Sequence, residues 1–156
     1  MAEAVKCPNC GTAFIIQSAT SSYQSHFKDI FEAAKGGIVK DVAYFIENGT
    51  DVNAVRGHTP FHYAAEHNSN VEVLKYLISK GAKINAKGCL GRTPLRLAAQ
   101  FNSSIEVLSY LISAGADVNT ADNNGQTPLF GASKFGDSVV GKEEKERILR
   151  QAGGRL

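Results

Sequence analysis

The sequence predicts an all-α fold: helix-loop-helix units stacked side by side into a solenoid. Three observations predict it. The phrase Gly57-His58-Thr59-Pro60-Phe61-His62-Tyr63-Ala64-Ala65 returns as Gly91-Arg92-Thr93-Pro94-Leu95-Arg96-Leu97-Ala98-Ala99, and more loosely as Gly125-Gln126-Thr127-Pro128-Leu129-Phe130-Gly131-Ala132-Ser133. Its threonines fall at 59, 93 and 127, so both steps are 34 residues, a period that marks stacked repeats. After the first two phrases, apolar residues recur at helical spacing until a glycine stops them.

Each element has a local reason. Thr59-Pro60 opens a helix, because proline fixes φ and its missing N–H is tolerated in the first turn. Phe61, Ala64 and Ala65 follow, and the small residues let a neighbouring helix approach. After the polar gap 67–70, a second helix runs from Val71 to about Lys80 with Val71, Leu74, Leu77 and Ile78 on one side. Gly81 ends it. The next unit repeats this with Ile105, Leu108, Leu111, Ile112 and Gly115. Upstream, 29–34 reads as a first helix without its Thr-Pro, followed by Val42, Phe45 and Ile46. The units fall at about 26–53, 54–87, 88–121 and 122–156. Thr127 to Gly153 spans 26 residues against 22 for Thr93 to Gly115, so the last unit holds four extra residues between its helices, around 136–141. Its second helix, from Lys142 to Ala152, is mostly charged and reads as a solvated face anchored by Ile148 and Leu149.

The chain ahead of the repeats differs in composition. Cys7-Pro8-Asn9-Cys10-Gly11 precedes a strand-like run from Thr12 to Ile16, and the Ser- and Thr-rich stretch 17–25 reads as a linker. Residues 1–25 are therefore a tail, and 26–156 the repeat domain.

The motifs Thr-Pro-Phe-His-Tyr-Ala-Ala at 59–65, Thr-Pro-Leu-Arg-Leu-Ala-Ala at 93–99 and Gly-Ala-Asp-Val-Asn at 115–119 resemble those of the ankyrin repeat family. The resemblance covers about 26–156, and the first cap and the ending 147–154 look similar to bacterial members. It implies an L-shaped unit of two antiparallel helices with a hairpin-like loop projecting at right angles. It also implies protein binding through loop tips and the exposed side of the first helices, with no common catalytic residue and no cofactor. Carried onto this chain, the tip positions are Val55, Arg56 and His58; Cys89, Leu90 and Arg92; and Asn123, Asn124 and Gln126. The first-helix positions are Glu66 and His67, Gln100 and Phe101, and Lys134 and Phe135. His67, Phe101 and Phe135 are equivalent. They form either an exposed ladder on the concave face or, if the helix ends rotate, part of the packing. The histidine at 62 is expected to bond within the turn network, and its replacement by Arg96 and Phe130 to loosen that network. Asp51-Val52-Asn53 and Asp117-Val118-Asn119 are expected to stabilise loops.

Cys7-x-x-Cys10 resembles one knuckle of a zinc ribbon. A structural zinc wants four ligands, and no second pair exists. Cys89 belongs to a distant loop tip, and of the histidines only His26 lies near the tail. The readings are an incomplete remnant, zinc shared between two chains, zinc completed by other ligands, or redox chemistry. Three cysteines argue against a disulfide framework.

Bulk properties narrow the function. The 156 residues are 43% hydrophobic and 21% charged with net charge +2, with no basic block and no apolar run of membrane-spanning length. No phosphate-cradling glycine loop, His-Glu-x-x-His or serine triad is present, so no catalysis is expected. The expected function is a non-catalytic module binding an unidentified protein, with no small-molecule substrate, no membrane, and nucleic acid disfavoured. Its expected place is the cytoplasm; a chain exported without a signal would share these features. The alternative, a nucleic-acid-associated zinc-ribbon protein using the repeats as a docking arm, lacks a basic aromatic patch and the second knuckle.

Overall fold

The computed structural model describes residues 4–6, 13–15, 23–135 and 141–156. Two short strands, β1 (Ala4–Lys6) and β2 (Ala13–Ile15), pair antiparallel with Val5 opposite Phe14. Eight α-helices follow among the described residues: α1 (Ile30–Gly36), α2 (Val39–Glu47), α3 (Pro60–His67), α4 (Val71–Ser79), α5 (Pro94–Phe101), α6 (Ile105–Ser113), α7 (Pro128–Phe135) and α8 (Lys142–Gln151). The all-α solenoid is borne out, with one helix pair per unit. Three residues separate α5 from α6, whereas six separate α7 from α8, and α8 has 10 residues against 9 in α6. The expansion of the last unit thus lengthens both its gap and its second helix.

The helices stand in two rows. The first helices α1, α3, α5 and α7 pack in sequence, and α2, α4, α6 and α8 form the second row. Small residues make the first row possible: Ala33 and Ala34, Ala64 and Ala65, and Ala98 and Ala99 are all buried where neighbouring helices meet. Phe61, Leu95 and Leu129 fill one layer of the core, and Leu74, Leu77, Leu108 and Leu111 tie the second row to the first. Each such side chain contributes roughly 1.5–3 kcal/mol by leaving water. No unit can bury these faces alone, so stability is a property of the stack.

Polar groups are paired between units with the same regularity. At the base, Asn53 donates to the Gly81 carbonyl (2.9 Å) and accepts from the Lys83 N–H (3.1 Å). Asn85 repeats this with Gly115 and Asp117, and Asn119 with Gly153 and Arg155. The asparagines after Val52 and Val118 therefore staple one unit to the next, beyond stabilising their own loops. Inside the gap between helices runs a second series. Buried Asn68 donates to the carbonyls of Ala34 (3.0 Å) and Gly37 (2.9 Å), and buried Asn102 to those of Ala65 and Asn68 (2.9 Å each).

The third rung of that series corrects the reading of α8. The charged helix is not all solvated: Lys145 is only 1% exposed. Its Nζ donates to the carbonyls of Ala99 and Asn102, the positions equivalent to Ala65 and Asn68. Leu149, fully buried beside it in the stack, is the apolar anchor of α8.

The start of the repeats is also tied down. Tyr23 Oη donates to Asp41 Oδ1 (2.5 Å), Ser25 Oγ donates to the same oxygen (3.3 Å), and Asp41 Oδ2 accepts from the Ile38 N–H (2.8 Å). The end of the stretch read as a linker is thus fastened to α2.

Candidate partner-binding face

The loop tips are joined edge to edge by backbone hydrogen bonds. Cys89 N–H donates to the Gly57 carbonyl (2.8 Å), and Asn123 N–H to the Leu90 carbonyl (2.8 Å). The tips thus form a continuous rim beside the first-helix row. On it, Val55 is 73% exposed and Leu90 53%. At the end of α5, Phe101 is 43% exposed. His67, its equivalent at the end of α3, is exposed with Nε2 3.5 Å from Glu66 Oε1. Asn68 and Asn102 explain why these rings stay outside: the asparagines occupy the inter-helix gap that a rotated Phe101 would have to fill. Phe135 ends α7 at the equivalent position, and its side chain lies outside the described residues.

The remaining tip residues divide by what they touch. Arg56 pairs with Asp29 (2.7 Å) and lies over the Phe31 ring (4.8 Å). Half-buried His58 stacks edge-on against His62 (5.2 Å) and Tyr63 (5.9 Å), and burial lowers its pKa. Asn123, Asn124 and Lys134 are exposed.

Two predicted contact residues serve the interior instead. Gln100 is buried and accepts from Arg96 Nη1 (2.7 Å), while half-buried Gln126 accepts from Arg96 Nη2 (2.7 Å). Gln100 is therefore corrected to a structural residue. Arg96 is itself fully buried, with Nε 3.7 Å from Asp122 Oδ2, and Arg92 Nε lies 3.9 Å from the same oxygen. In unit three a buried arginine takes the histidine's place, and its side chain reaches Gln100, Gln126 and Asp122 instead of bonding within the turn. The enabling signal was in the sequence. Gly131 sits within α7, and a Cβ there would run into Arg96 Nη1.

In unit two the histidine does bond within the turn. His62 Nδ1 accepts from the Thr59 N–H (3.3 Å) and lies 2.8 Å from Thr59 Oγ1, so its Nε2–H donates to the Arg92 carbonyl (3.1 Å). Burial lowers its pKa to about 4, so the ring is neutral at pH 7. Cys7 and Cys10 lie outside the described residues. Among the described residues, no group of three or more His, Cys, Asp or Glu side chains is placed to hold a metal ion, and no helix is long and apolar enough to cross a membrane.

A family model described as ankyrin repeats in three copies matches residues 29–88, and one described as ankyrin repeats in many copies matches 65–112 and 101–140. The chain belongs to the ankyrin repeat family. Ankyrin repeats are generally protein–protein interaction modules. An ankyrin repeat protein of fowlpox virus (strain NVSL), FPV233, is 43% identical over 44 residues. That match covers 27% of this chain and 9% of the viral protein, so the chain spans a small part of that relative's length.

Proposed function

We propose that this chain is a non-catalytic module that holds a protein partner on its loop tips and the concave side of its first helices. The observation that carries the reading is the placement of Val55, Leu90 and Phe101. All three are large, apolar and exposed, two on loop tips and one at the end of a first helix, and none belongs to the buried core. Exposed apolar groups rimmed by polar ones mark interaction surfaces. Arg56, His58, Glu66, His67, Arg92, Asn123, Asn124 and Lys134 supply that rim, and Phe135 holds the sequence position equivalent to Phe101.

The test is affinity capture from the cells of origin with the wild-type chain and with a Val55→Ser, Phe101→Ser double variant. Both side chains are largely outside the core, so the variant is expected to melt within a few degrees of wild type. Loss of a partner by a variant that melts normally supports the reading; retention of every partner by it overturns the face assigned here.

A further inference from the structure

The tip of the third unit is built against its own backbone preference. Leu90 is the one non-glycine residue with positive φ among the described residues, at φ 59° and ψ 21°. That conformation suits glycine or asparagine and is uncommon for a bulky apolar side chain. The equivalent tip positions hold Arg56 and Asn124, and neither shares it. Core packing does not account for the leucine, since it is 53% exposed. The neighbouring tips hold its backbone from both sides through the Cys89–Gly57 and Leu90–Asn123 hydrogen bonds. A strained residue that the surrounding structure over-determines points to function, and a rigid exposed leucine is suited to be an anchor.

The charge around it is one-sided. The tips and first helices (28–36, 54–67, 86–101 and 120–134) carry seven lysines and arginines against four carboxylates. The side-chain charges of 37–53, 68–85, 102–119 and 141–156 cancel. The few carboxylates on this face are already engaged. Asp29 pairs with Arg56, Glu32 accepts from the Lys28 N–H, Glu66 lies beside His67, and Asp122 is buried beneath Arg92 and Arg96. Lys87, exposed three residues before Leu90, and Lys134 enter no ion pair among the described residues.

We propose that Leu90 anchors an acidic, apolar-bearing segment of a partner protein. The leucine meets the partner's apolar side chain, and Lys87 and Arg92 meet its carboxylates. This deepens the protein-binding reading and rests on it. A single-stranded nucleic acid fits this tip less well, because its bases stack on aromatic rings and the side chain held out at the tip is a leucine.

The test uses the full chain and three labelled probes: a short peptide of glutamate and leucine, its lysine–leucine counterpart, and a single-stranded DNA oligonucleotide. The decisive variant is Leu90→Asn, since asparagine accepts the left-handed conformation that leucine resists. The glutamate–leucine peptide is expected to bind saturably, and to bind more weakly at high salt and to Lys87→Glu. Leu90→Asn is expected to melt at or above wild type yet bind that peptide about tenfold more weakly. Equal or stronger binding of the lysine–leucine peptide, binding of the oligonucleotide in place of the peptide, or saturable binding of none of the probes overturns the inference. So does a Leu90→Asn variant that binds like wild type or melts below it. Those outcomes leave the broader reading intact, because that stands on the Val55 and Phe101 capture experiment.

Discussion

Lys145 completes, from the last helix, the polar series that Asn68 and Asn102 begin in the second and third units. Its ammonium donates to the carbonyl of Asn102 and to that of Ala99 (3.4 Å), with the side chain almost wholly out of water. Those carbonyls are equivalent to the ones Asn68 and Asn102 cap in the preceding units. Lys145→Met keeps the apolar stem and removes the donor. Leaving buried acceptors unsatisfied costs about 1–3 kcal/mol, so a matching loss of stability is expected in urea denaturation. Arg150→Ala, at an exposed position of the same helix, is expected to change it by no more than about 0.5 kcal/mol. Equal effects of the two would show that the Lys145 contacts contribute nothing.

The Arg96–Gly131 contact makes a prediction about coupling. Gly131→Ala puts a methyl group where the guanidinium lies, and overpacking of this kind costs about 1–3 kcal/mol. In an Arg96→His background, which restores the residue type of unit two, the clash is gone. Alanine is then favoured over glycine in a helix by about 0.5–1 kcal/mol. A double-mutant cycle should therefore return a large interaction energy. Additive effects would mean that Arg96 moves aside without cost.

These two contacts also show where sequence reading stops. The helix pairs were legible because their signals are local: Thr-Pro at a helix start, glycine at its end, apolar residues at helical spacing. Exposed Val55, Leu90 and Phe101 were legible as positions, since the 34-residue step aligns them with their counterparts. Lys145 was not, because a buried lysine and a solvated one look alike inside a charged helix. What was visible is that the series Asn68, Asn102 meets a glycine at 136. The replacement donor comes from another helix, and only the packed stack shows it. Gln100 was misassigned for a related reason: the partner that draws it inward, Arg96, departs from the family's residue at that position. The positive φ of Leu90 is a backbone property with no marker in the residue itself.

His62 makes the fold sensitive to mild acid. Its ordinary pKa of 6.5 is lowered to about 4 in the folded chain, first by burial. Between those values the unfolded chain binds a proton that the folded chain refuses, so stability falls as pH drops from about 6.5 to about 4. The full effect is roughly 3 kcal/mol. Asp29, Asp41 and Asp117 have lowered pKa values, so their contribution is lost at lower pH, from the ordinary carboxylate range downward. Asp117, for example, is held down chiefly by the hydrogen bond from the Asn119 N–H. Thermal melts between about pH 7 and 4.5 should show the decline that proton linkage requires. His62→Gln should remove most of it, leaving the smaller share of His58, whose pKa burial also lowers. A profile that is the same in wild type and His62→Gln would assign the sensitivity elsewhere.

Phe101 and Leu111 belong to the same unit and separate recognition from folding. Leu111 is fully buried in the second row, whereas Phe101 stands 43% exposed at the end of α5. Leu111→Ala removes core volume that the stack cannot refill and should cost about 2–5 kcal/mol. Phe101→Ala should cost less than about 1 kcal/mol, because the residue is exposed and Asn102, not Phe101, fills the gap between the helices. Urea titrations of both variants against wild type measure the difference. The units form one stack, so the Leu111 variant should also shift the unfolding of its neighbours, while the Phe101 variant leaves the transition where it was and alters only binding. Comparable destabilisation by the two would place Phe101 in the packing and remove it from the partner-binding face.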